Sequence, residues 1–413
     1  MRVVGERQLE AALAAVGGGE PRVVVGGNFA TPRALLGIWD RAVPRYRLFM
    51  INAQGPLPGR DEVIFETPFV GPGMRDGGRR LDYLPMRLSL VPQLFARSRP
   101  PDVVLVQTSP PRSGKVSLGT EVNILVAAVE QTRARGGTIV AQLNPAMPYT
   151  FGDGELDVDL FDLAVELGED LPSPAPPGPL DEVTASIGAH LGGVVADGAT
   201  LQIGIGTIPD AALGTLGDRR GLAVWSEMVS DGVLDLERRG CTERERPIVT
   251  SFVFGSPELY AWADRNPRLR LARTETTNDP ARIARQRLMT SINTALQVDL
   301  CAQANASEVR GRIYSGFGGQ TDFIVGALHA PGGHAVIALR SWHAKSDSSN
   351  VVPLLPVPVT SFQHSAIVSE HGRADIFGRS QRAQARLITE RVAHPDARAE
   401  LAEAAGRLGL HPA

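Results

Sequence analysis

Arg22-Val-Val-Val-Gly-Gly-Asn-Phe-Ala-Thr-Pro-Arg-Ala-Leu-Leu36 reads as a buried strand, a glycine turn and a helix beginning near Pro32. Branched side chains favour the pleated strand, glycine relieves the turn, and proline suits a first helical turn, where its missing N–H costs nothing. Leu201-Gln-Ile-Gly-Ile-Gly-Thr-Ile-Pro-Asp-Ala-Ala-Leu213 repeats the layout with Pro209, one residue shorter between first glycine and proline. Two copies of strand, glycine turn and helix, far apart in the chain, predict an α/β protein of two related halves.

The rest of the chain fits that frame. Short apolar runs at 23–25, 103–106, 138–142, 201–204, 222–225, 248–254 and 335–339 read as strands, with helical patterns between them. That alternation is the signature of βα units around mainly parallel sheets. The strongest helical pattern spans 120–135, where Val122, Leu125, Val126, Val129 and Thr132 share a face. Leu171-Pro-Ser-Pro-Ala-Pro-Pro-Gly-Pro-Leu180 can continue neither helix nor central strand, so it marks the boundary between a domain at 1–175 and one at 181–413.

Composition narrows the function. The 413 residues carry a net charge of -3, which gives no basic field for nucleic acid. No stretch approaches a membrane span, and the charged N-terminus lacks the apolar core of a signal peptide. Cys241 and Cys301 cannot build a disulfide framework, so a reduced, cytoplasmic protein is expected. The histidines show no metal-ligand spacing, and His364 and His371 read as polar surface residues. Only Lys115 and Lys345 are lysines; arginine-rich base composition explains this, or a loop lysine such as Lys345 serves as a phosphate contact.

Four segments hold candidate chemistry. Ala223-Val-Trp-Ser-Glu-Met-Val-Ser-Asp-Gly232 delivers Glu227 from an apolar strand into a turn, where it is either a reactive carboxylate in the ligand crevice or a cap on the turn. Gly204 and Gly206 open a helix and either face an anion or merely turn the chain; the Pro209 position rules out a dinucleotide fingerprint. Gly316, Gly318 and Gly319, followed by Gln320 and Asp322, let backbone approach a ligand closely, or form only a turn. Gln142 and Asn144 end a strand and either bind a substrate carboxylate or cap their loop.

In order and spacing these segments resemble the acetyl-CoA hydrolase/transferase family, the branch of class I CoA-transferases that includes 4-hydroxybutyrate CoA-transferase. The resemblance covers Gly26 to Pro32, Val116-Ser-Leu-Gly119, Gln142 to Pro148, Gln202 to Pro209, Ser226 to Gly232, Gly316 to Phe323, Val368-Ser-Glu-His-Gly372 and Ala393 to Arg398. It implies two similar ribose-phosphate-isomerase-like Rossmannoid domains with the site between them. It implies that Glu227 is the nucleophile that becomes a glutamyl-CoA thioester and that Gln202 helps hold the oxyanion. Gly316, Gly318, Gly319 and Gln320 would face the thioester of coenzyme A, with Lys345, Gly204, Gly206, Gln142, Asn144, Gly26 and Gly27 as further substrate contacts. No tightly bound cofactor or metal is expected; coenzyme A is a substrate, exchanged between an acyl-CoA and a small carboxylic acid by a homodimer. Hydrolysis of the same intermediate, and coenzyme A binding without turnover, are the alternatives. The chain departs from the family pattern at Tyr149 and Phe151, at Asn350, at Arg112 and in Thr360 to Ser365, which lacks the usual arginine.

Overall fold

The structure, a computed structural model, describes all residues except 17, 76–79, 177, 358, 360–362 and 411–413, so the first half of the arginine-lacking segment at 360–365 lies outside the described residues. The described chain forms two compact units: residues 1–175, 247–277 and 314–318 make the first, and 176–246, 278–313 and 319–413 the second. The proline-rich stretch carries the first crossing. The expected second span, 181–413, gives two of its stretches to the first unit, because strands Ile248–Thr250 and Leu269–Leu271 pair in a parallel ladder that continues to Phe151–Gly152.

The first unit is built on an eight-stranded sheet: β1 (Arg2–Val3), β2 (Arg22–Val25), β3 (Tyr46–Phe49), β4 (Val63–Thr67), β5 (Arg80–Tyr83), β6 (Val103–Thr108), β7 (Thr138–Leu143) and β8 (Leu163–Glu166). Its spatial order is β1-β8-β7-β6-β2-β3-β4-β5, with every neighbour parallel. The quoted stretch becomes β2 and helix α1 (Arg33–Ala42). The second unit holds β9 (Thr200–Ile203), β10 (Ala223–Val224), β11 (Met289–Thr294), β12 (His334–Ala338), β13 (Ala366–Ser369) and β14 (Gly372–Asp375), ordered β10-β9-β11-β12-β13-β14. All these pairs are parallel except β13 with β14. Met289, Ile337, Phe323, Ile324, Ile367 and Ile388 close its core.

Two expected elements differ. The helix read at 120–135 begins only at Leu125 and runs as α2 (Leu125–Ala134). Residues 120–124 stay irregular because the N–H groups of Val122 and Asn123 bond the Ser251 carbonyl instead of an earlier helical turn. That same carbonyl interrupts the strand read at 248–254. Strand order reverses between β2 and β6 in the first sheet and between β9 and β11 in the second, and open α/β sheets bind ligands outside the strand ends at such switch points.

The first sheet is braced by Glu66 on β4, whose fully buried side chain accepts from Arg22 Nε at 2.6 Å, Arg47 Nη1 at 3.2 Å and Arg99 Nη1. Burial alone would raise its pKa, but the guanidiniums, Arg22 foremost, override it and hold the carboxyl below the usual range. Its contribution to stability is therefore present above the unfolded pKa and lost as pH falls through the lower folded value. Glu66→Gln strands three arginines and is expected to cost about 3 kcal/mol or more near pH 7, read as a lowered urea midpoint, with the deficit shrinking in acid.

Candidate active site

Glu227 lies on a bend between β10 and the short strand Met228–Val229. The Ser-Asp-Gly segment after it is not a turn, as the sequence suggested, but the start of helix α4 (Asp231–Arg238). The parallel register of β9 and β10 continues through the Trp225 N–H to Leu201 carbonyl bond. Buried Ser226 then bonds the backbone of Ile203 on both sides, its Oγ donating to the carbonyl at 3.2 Å. Gln202 and Glu227 thus leave adjacent strand ends tied together one residue away from each.

The Glu227 carboxylate is held on one side by Asn278, whose Nδ2 donates to Oε2 at 2.9 Å, and by the backbone N–H of Gly319. Gly319 precedes helix α5 (Gln320–His329), whose N-terminal end favours negative charge. A Cβ at Gly319 would overlap Glu227 Oε2 and Asn278 Nδ2, so this close approach requires glycine. Burial pushes the Glu227 pKa from 4.5 to about 7; Asp322 in the first turn of α5 adds to the rise, while the Asn278 and Gly319 donors oppose it. The residue as a whole is half-buried.

The other expected site residues divide between the units. Gln202 is the penultimate residue of β9, with its side chain buried. Gly204 and Gly206 follow it, Gly206 with φ +116° directly before helix α3 (Thr207–Gly214). Gln320 begins α5, and its Nε2 is buried without a hydrogen-bond acceptor among the described residues. Lys345 is exposed in the turn of a hairpin. In the first unit, Gly316 packs on the Pro68 carbonyl and Gly318, at φ +54°, on the Phe69 ring. Gln142 bonds Glu169 and the Leu35 N–H, and Asn144 bonds Gln107 and both backbone groups of Glu169, so both amides fill the loop-capping role.

Gly26 and Gly27 turn the chain after β2 beside a second carboxylate that sequence reading missed. Glu121 is 1% exposed and Oε1 accepts from Asn28 at 2.9 Å and Asn123 at 2.7 Å. Burial raises it to about 7 against these donors. Asn278, Ser291 and Asn293 also went unread: polar residues inside strands or before Asp-Pro give no signal beyond turn and cap. His364, expected at the surface, is 2% exposed, and desolvation lowers its pKa to about 4, keeping it neutral; His371 is exposed. Among the described residues no His, Cys, Asp and Glu group could hold a metal, and no helix is long and apolar enough to cross a membrane.

Residues 255–405 match the acetyl-CoA hydrolase/transferase C-terminal domain. The chain is 36% identical to the 4-hydroxybutyrate coenzyme A transferase of Clostridium kluyveri over 347 residues, covering 81% of this chain and 80% of that protein. It is 33% identical to the succinyl-CoA:acetate/propanoyl-CoA:succinate CoA transferase of Fasciola hepatica, covering 94% and 86%. Acetyl-CoA hydrolases match over a shorter stretch, about half the chain for that of Neurospora crassa. The crystal structure of RipA from Yersinia pestis superposes with TM-score 0.90 at 28% identity over 99% of this chain and 98% of that one. A glutamate on a strand-end bend, a glycine that fits against it and identity of this extent place the chain in the acetyl-CoA hydrolase/transferase family of CoA-transferases.

Proposed function

We propose that the protein transfers coenzyme A between an acyl-CoA and a free carboxylic acid, with Glu227 as the nucleophile. The observation that carries this reading is a half-buried carboxylate, clamped by Asn278 and Gly319, in a chain similar end to end to CoA-transferases. A hydrated carboxylate is a poor nucleophile; desolvation raises its reactivity, and with the pKa raised only to about 7 a substantial fraction still ionises at neutral pH. Its oxygen attacks the acyl-CoA carbonyl, the carbon–sulfur bond breaks, and the thiolate departs from a mixed anhydride. The thiolate then attacks the glutamyl carbonyl, releasing the first acid and leaving a glutamyl-CoA thioester. An incoming carboxylate repeats the two steps in reverse, so the energy-rich bond is exchanged and no redox cofactor is required.

Gln202 at the adjacent strand end is the amide assigned to the oxyanion. Gln320 Nε2, buried without an acceptor among the described residues, is a donor whose desolvation a substrate carbonyl would offset. Two free thiols, Cys241 and Cys301, support a reducing compartment, the cytoplasm, and a homodimer follows from the resemblance.

Incubation with acyl-CoA followed by borohydride or hydroxylamine is expected to change the mass of the peptide carrying Glu227, and thiol release is expected to need an added acid such as acetate. An unmodified peptide from protein with bound coenzyme A defeats the nucleophile assignment; acceptor-independent thiol release indicates hydrolysis instead.

The rate of transfer is expected to rise with pH through about 7, where Glu227 ionises. Stability has the opposite dependence: a carboxyl whose folded pKa exceeds 4.5 binds its proton more tightly when folded, so stability falls as pH climbs from 4.5 to 7. Glu227→Gln removes this penalty, with a gain of up to about 3 kcal/mol at pH 8 that vanishes near pH 4, while kcat drops by about 1000-fold or more.

Gly319→Ala keeps the backbone N–H but forces the Glu227 carboxylate or Asn278 to shift. A loss in kcat of about 100-fold with little change in melting temperature is expected, since a small misplacement of reacting groups is costly.

A further inference from the structure

The reversal of strand order in the second sheet falls between β9 and β11, and a side-chain cluster spans that point. Gln202 on β9 stands opposite Ser291 on β11 in the parallel register, with Asn293 two residues further on the same face. Ser291 Oγ donates to Gln202 Oε1 at 2.5 Å, and Asn293 Nδ2 donates to the same oxygen at 3.1 Å and to Ser291 Oγ at 2.9 Å. Among the described residues Gln202 Nε2 reaches only Asn293 Oδ1, at 3.4 Å. Ser291 is fully buried and Gln202 is 4% exposed.

These contacts are asymmetric across the amide. Its oxygen takes two donors, at 2.5 and 3.1 Å, and its nitrogen one long acceptor, so flipping Gln202 alone would set Nε2 against Asn293 Nδ2 and present an oxygen in its place. Left alone, a glutamine amide has little preference between its two flips, because oxygen and nitrogen are nearly the same size. At an oxyanion the two are opposites: N–H stabilises the developing charge and a carbonyl oxygen repels it.

We propose that Ser291 and Asn293 are positioning residues that lock the Gln202 amide with its N–H2 as the presented group. The proposal rests on the reading of Gln202 as an oxyanion donor and extends it to the residues that make that donor reliable. Neither residue needs to touch substrate. Their effect on the reaction passes through Gln202, so it belongs to the chemical step and not to the grip on coenzyme A.

A double-mutant cycle in the transferase assay tests this, with kcat and the acyl-CoA KM measured for Gln202→Ala, Ser291→Ala and the pair. Gln202→Ala is expected to lower kcat by about 100-fold. Ser291→Ala is expected to lower kcat by about 3- to 10-fold at unchanged KM, and to do nothing further once Gln202 is alanine. Asn293→Asp, which keeps shape but removes the donor, should behave like Ser291→Ala, and Ser291→Thr should restore most of the rate. The proposal is overturned if Ser291→Ala leaves kcat intact while Gln202→Ala lowers it, or if it costs the same factor in both backgrounds. If Gln202→Ala alone has no effect while Glu227→Gln abolishes transfer, the oxyanion role of Gln202 fails together with this proposal, and the Glu227 reading stands.

Discussion

A carboxylate stripped of water beside a glycine N–H is the constraint around which the second unit is arranged. Glu227 can occupy its position only if nothing projects from residue 319, and the N-terminal end of helix α5 favours the negative charge placed there. Asp322, one turn into the helix, works against the same charge. The balance of a dominant desolvation penalty, an opposing pair of donors and a like charge leaves the carboxyl near the midpoint of its titration at neutral pH. A tighter clamp would lower the pKa and make the carboxylate less basic; deeper burial would keep the proton on.

The strand-turn-helix reading at 22–36 and 201–213 located β2, β9 and their helices, because branched apolar runs followed by glycine and proline are local signals. The parallel neighbours β3, β4, β8 and β11 were not read. Met289–Thr294 carries serine, threonine and asparagine at positions where a buried strand ordinarily shows apolar residues, since its C-terminal end serves the Gln202 cluster. A strand with site residues on it loses the pattern that would identify it. The same competition shortened the helix expected from 120: residues 120–124 have helical spacing, but Glu121 and Asn123 are spent on a polar network at the end of the sheet. Asn278 was illegible for another reason, as its partner lies 51 positions back in the chain and only the fold joins them.

Perturbed acidity alone does not single out Glu227. Glu121 is raised to about the same value by the same cause, desolvation, and lies next to a glycine turn at the switch point of the other sheet. What separates the two carboxyls is access and neighbours. Glu121 is 1% exposed and one of its oxygens accepts two asparagine amides, one of them tied onward to Asn52, so the group is consumed in fixing the turn after β2. Glu227 is half-buried, and a helix N-terminus sits beside it. A nucleophile must lose water and keep an approach; the first carboxyl meets one condition and the second meets both. The two halves share strand, glycine turn and helix and each carries a desolvated acid near its switch point, but the acid of the second half keeps the greater exposure.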